Sequence, residues 1–417
     1  MSQAETNRAI EAVWRIEQAK LIAGLMRLTR DVGLAEELAQ DALVAALERW
    51  PKDGLPERPG AWLMATARHR AVDRIRKQSL HQRKQDAIAY DIVTENGDGD
   101  IDARLDDDIG DDLLNLIFIA CHPILSTEAR LALTLRLLGG LTTQEIARAF
   151  LTPEPTIAQR IVRAKRTLAQ ARIPFEVPRG VERAERIASV LQVLYLIFNE
   201  GYAATSGHDW MRPQLCDEAI RLARILAVLV PEDPEVHGLL ALMEIQASRF
   251  AARTAADGTP ILLLDQNRAR WDRLLIRRGL AALARAEALN RRPGPYVLQA
   301  AIAACHARAN TADATDWTII AKLYGLLAEL TPSPVIELNR AVAVSFADSP
   351  AAGLAIIDRI ADEPQLGSYH LLPSVRGDLL AKLGRHDEAR LEFARAASLA
   401  TNNRERDLLL ARSTGGN

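Results

Sequence analysis

The sequence predicts an all-α protein: two small helical domains, the second a helix-turn-helix, joined by an acidic linker and followed by a C-terminal helical-repeat domain. Three observations predict it. Apolar residues recur at spacings of three and four along nearly the whole chain, with few strand signals. In the C-terminal half, Pro, Gly and Asp turns cut these runs into helix pairs of roughly 34 residues, the length at which no pair buries its apolar face alone. Charge is segregated by segment, although the 417 residues carry a net charge of only −2, with 25% charged and 5% aromatic residues. That balance excludes a wholly basic nucleic-acid coat but permits local basic patches.

Three helices are expected in residues 1–85: Glu5–Thr29, Leu34–Trp50 and Gly60–Ser79, the last two separated by a loop holding Pro51, Gly54, Pro56 and Pro59. Arg68, Arg70, Arg74, Arg76 and Lys77 on the third, with Arg83 and Lys84 just beyond it, cluster against the single Asp73, and the stretch Arg68–Lys77 suits phosphates. Residues 86–112 reverse the sign. Asp91, Glu95, Asp98, Asp100, Asp102, Asp106, Asp107, Asp108, Asp111 and Asp112 face one Arg104, with Asn96-Gly97 and Asp98-Gly99 marking a mobile linker.

The helix-turn-helix unit is expected at 113–173, opening with an apolar helix Leu113–Cys121. Thr142 and Glu145 form a T-x-x-E capping box that starts a support helix running to about Phe150. Leu151–Glu154 is the turn, with Thr152 as N-cap and Pro153 at the first helical position. In the last helix Ile157, Ile161, Ala164 and Leu168 line one buried stripe. Thr156, Gln159, Arg160, Arg163 and Arg166 then fall on the open face, and no carboxylate stands between Pro155 and Arg172, a stretch that also holds Lys165. Such a helix suits a DNA major groove. The competing reading is an amphipathic helix with a solvated charged face.

Residues 174–212 read as a helical connector and 213–417 as the repeat-like array, with helices such as Asp217–Leu229, Pro234–Phe250 and Trp271–Leu289. Its clearest unit is Leu379–Leu399, where Gly384 makes a tight turn and Ala389, Phe393 and Ala396 alternate small and large packing positions. Cys121, Cys216 and Cys305 are too scattered for a disulfide framework, and adjacent Cys-His pairs diverge on a helix, so no metal or cofactor is expected. Around Asn199-Glu200-Gly201-Tyr202 and His208 there is no nucleophile–base pair, phosphate loop or metal-ligand set, so these read as hinge and packing residues of a protein that is not an enzyme. No signal-peptide core is present and no run approaches the ~18–20 apolar residues of a membrane span, giving a cytoplasmic expectation.

Taken together, Leu34–Pro51, Arg58–Lys77 and Glu128–Leu168 resemble the extracytoplasmic-function (ECF) branch of the sigma-70 family, promoter-recognition subunits of RNA polymerase. The segments Tyr195–Gly207, Leu215–Met243 and Asp265–Arg273 resemble a subgroup with a C-terminal tetratricopeptide-like (TPR-like) extension. The resemblance implies that Glu36, Glu37, Gln40 and Asp41 bind core RNA polymerase, whose clamp helices and flap are the expected partners. It implies that Trp62, Arg68, His69, Arg70, Arg74, Arg76 and Lys77 serve the −10 element, and Thr156, Gln159, Arg160, Arg163, Lys165 and Arg166 the −35 element of promoter DNA. His69 stands where the family usually has an amide. Leu151 and Pro153 replace the usual turn glycine and cap serine, and Ala158 replaces a common polar reader.

Alternatives remain at several points. Trp62 either lines the region where bases unstack or anchors its helix in the core. The acidic linker is either an inert tether or a phosphate mimic in the polymerase cleft. The tail is a platform for a protein partner, a mask over the DNA-reading face, or an aid to polymerase binding. The rival to the sigma reading is a stand-alone helix-turn-helix regulator with a TPR-like sensing domain, which would need neither the Leu34–Pro51 helix nor a second basic reader.

Overall fold

The computed structural model describes residues 3–85, 101–150, 152–202, 211–255 and 259–414. Among them the chain is helical, with a single isolated bridge between Thr254 and Pro260. It divides into two compact units, Met1–Val193 and Leu194–Asn417.

The first unit holds α1 (Gln3–Thr29), α2 (Val32–Asp53), α3 (Pro59–Gln85), α4 (Ile101–Ala120), α5 (Thr127–Leu137), α6 (Thr143–Ala149), α7 (Glu154–Ala171) and the first part of α8 (Gly180–Tyr202). Asp31 starts α2 by accepting a hydrogen bond from the Leu34 N–H at 3.0 Å. The expected loop at Pro51 is displaced: Pro51 lies inside the last turn of α2, and the helix stops at Gly54, whose φ of 88° favours glycine. α1 packs against α2, α3 and α4, burying Leu21, Ile22, Leu25, Leu38, Leu63, Leu116 and Ile117.

The acidic linker is also shorter than the sequence suggested, because α4 begins at Ile101, not near residue 113. Its second half is anchored by buried Leu113, Leu114, Leu116 and Ile117. Asp112, expected in a mobile tether, is buried and accepts hydrogen bonds from Arg27 of α1 at 2.9 and 3.2 Å. Once such a helix is nucleated, extending it by further turns costs little. Asp91, Glu95, Asp98 and Asp100 lie outside the described residues, as do Leu151 and His208.

The second unit continues with α9 (Pro213–Leu229), α10 (Pro234–Ala247), α11 (Arg273–Ala288), α12 (Pro295–Arg308), α13 (Trp317–Leu330), α14 (Pro334–Ala347), α15 (Pro350–Ile360), α16 (Leu371–Lys382), α17 (His386–Leu399) and α18 (Asn403–Ser413). Each helix from α9 to α18 packs on its successor, as in a quasi-one-dimensional stack. Between α16 and α17, Gly384 has φ of 77° and the Arg385 N–H bonds back to the Leu380 carbonyl at 2.9 Å, a Schellman-type stop. Ala389, Phe393 and Ala396 are buried in the core beyond that turn.

Candidate nucleic-acid interface

The local sequence builds α6 and α7 in the expected way, except at their junction. The Thr142 hydroxyl accepts from the Glu145 N–H at 3.1 Å, and the Glu145 carboxylate accepts from the Thr142 N–H at 2.8 Å, so both halves of the capping box are made. At the start of α7 the N-cap is Pro153, not Thr152, and no side chain caps it. The Thr152 hydroxyl instead donates back to the Phe150 carbonyl at 3.1 Å, where it ends α6, and the Pro153 carbonyl accepts from the Thr156 N–H. Pro155 occupies the first turn, where a missing N–H is harmless.

Ile157, Ile161, Ala164 and Leu168 are all buried, against α5 and α6, which fixes the rotation of α7. Gln159, Arg163 and Arg166 are exposed as a result, and Thr156 and Arg160 are half-buried. Arg160 lies near Glu128 at the start of α5. That carboxyl is held below its usual range by its own backbone N–H and Ser126, with the Arg160 charge adding to the effect. Lys165, grouped with these residues in the sequence, is drawn away: its ammonium pairs with Glu36 of α2.

Glu36, expected from the resemblance to meet polymerase, is instead turned inward. It is only 3% exposed. It accepts from Arg136 Nε of α5 at 2.7 Å, from Lys165, and from the Gln40 amide at 3.0 Å. The physical reason is charge complementarity. Two cations of the helix-turn-helix converge on one carboxylate, and Gln18 of α1 donates to the Arg136 carbonyl at 3.1 Å, tying the same turn down. Sequence reasoning missed Arg136 and Gln18, because their partners lie about a hundred residues away.

The other two carboxylates of this set face α3. Arg74 pairs with Glu37 at 2.7 Å, and Arg70 bonds the Asp41 backbone carbonyl with its carboxylate 3.8 Å away. Residues assigned from the sequence to two different partners therefore meet across the α2–α3 interface. Trp62 is half-buried with its ring edge-on to buried Trp50 at 5.3 Å. His69 and Arg76 are exposed and Arg68 is half-buried, while Lys77 lies outside the described side chains.

Comparison with known proteins converges on the same segments. Residues 14–81 match the Sigma-70 region 2 family and residues 115–168 the Sigma-70 region 4 family. Residues 186–287 match a family of unknown function, DUF6596. An uncharacterized protein of Rhizobium meliloti, R00370, is 45% identical over 386 residues, covering 92% of this chain and 90% of that protein. The ECF RNA polymerase sigma factor SigC of Mycobacterium tuberculosis is 31% identical over 170 residues, 40% of this chain and 86% of the relative. The probable ECF RNA polymerase sigma factor SigI of the same species is 28% identical over 171 residues, 40% of this chain and 57% of that protein. No solved structure matches. Region 2 and region 4 stand in order on the helices that carry the two basic faces, and the SigC match spans most of that relative: the chain belongs to the ECF sigma factors of the sigma-70 family.

Proposed function

We propose that the protein binds core RNA polymerase through α2 and directs promoter-specific initiation. In this reading α7 contacts the −35 element, while α3 recognises the −10 element and helps to melt it. The C-terminal stack, which we read as TPR-like, regulates that activity or docks a protein partner, and the chain catalyses nothing itself. The observation that carries the reading is the face of α7: Gln159, Arg163 and Arg166 exposed opposite the buried Ile157, Ile161, Ala164 and Leu168, in a helix-turn-helix whose support helix is fully capped.

The ion pairs add a condition. Glu36 is engaged by both Arg136 and Lys165, so neither it nor Lys165 is turned to an outside partner while the contact stands. Polymerase engagement by α2 and phosphate engagement by Lys165 therefore require that contact to be exchanged for new ones. Run-off transcription with purified core polymerase is the test. Promoter-specific transcripts that depend on added protein are expected. Their absence with both the intact chain and a chain lacking the C-terminal array would overturn the assignment.

A further inference from the structure

The C-terminal unit contains a cavity of about 350 Å³ between α8, α10, α12, α13 and α14. Its lining includes Tyr195, Arg249, Trp271, Gln299, His306 and Tyr324, with further amide, hydroxyl and aliphatic side chains completing the wall. No Asp or Glu is among the described lining residues, and Arg249 supplies the one permanent charge. This composition, apolar and aromatic with a few convergent polar groups, is that of a small-molecule site.

Unsatisfied groups gather here. Arg249 Nε, Trp271 Nε1 and His306 Nδ1 are buried atoms without a hydrogen-bond partner. The Trp271 residue is 3% exposed and His306 9%. Buried polar atoms are nearly always paired in folded proteins, so three orphans on residues that line one cavity single it out for a polar occupant. The wall is also held in place before any ligand arrives. Arg268 bonds the His306 and Ala309 carbonyls at 2.8 and 2.7 Å and the Thr315 hydroxyl at 3.0 Å, with its guanidinium 5.0 Å from the Trp271 ring. Tyr195 donates to the Gln299 amide oxygen at 3.2 Å, and Arg249 donates to the Tyr202 hydroxyl. Burial, with the Arg249 and Arg268 charges, pushes His306 down to about 4, which leaves it neutral.

We propose that this cavity binds a small organic carboxylate with an aromatic body, the carboxylate meeting Arg249 and the body lying among Tyr195, Trp271 and Tyr324. One guanidinium matches a monoanionic carboxylate through its planar fork, whereas a phosphate dianion calls for further cations that the wall lacks. The site gives the C-terminal stack an effector and rests on the regulatory reading only for its consequence in transcription. Binding itself is measured on the protein alone, so a failed run-off assay leaves it standing.

The test is calorimetry on the full chain with phenylacetate, 3-phenylpropionate and 1-naphthylacetate, each against its neutral amide. At least one acid is expected to saturate with one site per chain, about tenfold or more tighter than its amide. Arg249→Gln is expected to erase that advantage and Arg249→Lys to keep part of it. Because Arg249 also holds Tyr202, Ala303→Phe provides the second variant: it fills the cavity from α12 and is expected to abolish binding with the melting temperature maintained. No saturation by any of the acids up to about 10 mM overturns the proposal. So does equal binding of acid and amide, or undiminished binding in folded Ala303→Phe protein.

Discussion

Glu36 carries more of the first unit than its place on a helix flank implies. Its side chain is 4% exposed, and Arg136 and Lys165 keep only 23% and 22% of theirs. Removing one member of a buried ionic cluster leaves the others unpaired, so Glu36→Ala is expected to lower stability by about 2–4 kcal/mol in chemical denaturation. The nearby Glu37–Arg74 pair has 53% and 44% exposure, and Glu37→Ala is expected to cost less than about 1 kcal/mol. Equal losses would show that burial is not what sets the strength of the Glu36 cluster. On α7 the energy at stake is that of base discrimination. A good base contact is worth about 1–3 kcal/mol, so Arg160→Ala with Arg163→Ala is expected to reduce −35-dependent initiation at least tenfold and to flatten the salt dependence of promoter binding. Full activity of the double variant would place the reading face elsewhere. His306 gives a pH dependence. Its folded value of about 4 lies below the ordinary 6.5, so between these values the unfolded chain binds a proton that the folded chain excludes. The contribution of His306 to stability is therefore full above pH 6.5 and is lost as pH drops towards 4, by up to about 3 kcal/mol. Denaturation of the protein at pH 7.5 and pH 5 checks this, and His306→Gln is expected to remove that part of the slope.

Two residues on α10 set its approach to α12. Glu235 caps the partner helix, accepting from the N–H groups of Gly294, Tyr296 and Val297 at 3.1, 2.8 and 3.3 Å. One turn later Gly238 lets the helices touch: a Cβ there would lie 2.6 Å from the Val297 nitrogen and 2.9 Å from its Cα. Backbone cannot yield as a flexible side chain does, so Gly238→Ala is expected to destabilise the second unit by about 1–3 kcal/mol through overpacking. Glu235→Ala is expected to cost about 1–2 kcal/mol through the lost cap. Hydrogen exchange in α10 and α12 of the full chain checks both, and unchanged protection in Gly238→Ala would mean that the helices separate at no cost. These examples also show which parts were legible in the sequence. The capping box of α6 and the buried stripe of α7 were readable because their partners lie within a few residues, where spacing alone fixes the geometry. The Thr152–Pro153 junction misled because two prolines compete for the helix start, and the hydroxyl gained a stronger use in closing α6. Glu235, Gly238 and the Arg249 cavity were not legible, since each depends on which helices the stack brings together. Glu36 fails for the same reason at longer range, with its cations 100 and 129 positions away.

At the scale of the whole molecule, the division between the two units falls within α8, not in the loops on either side of it. Its first half closes the helix-turn-helix unit. Arg186 reaches the Phe118 carbonyl at 3.4 Å, and the Ser189 hydroxyl donates to the Cys121 carbonyl at 2.5 Å, satisfying acceptors at the open C-terminal end of α4. Ser189 also accepts from Arg130 of α5 at 2.7 Å, and Val190 and Leu191 are buried. A truncation ending at Pro178, before α8 begins, removes all of these residues, whereas one ending at Val193 retains them. The shorter chain is expected to melt several degrees lower, since lost caps and buried apolar contacts together exceed about 2 kcal/mol. The comparison bears directly on the role of the C-terminal array. If initiation by the Val193 chain exceeds that of the intact protein, the array restrains the sigma region; if it falls, the array assists it. A change seen only in the Pro178 chain would report damage to the first unit and say nothing of regulation. Equal melting temperatures of the two truncated chains would show that the first half of α8 is dispensable to the unit it contacts.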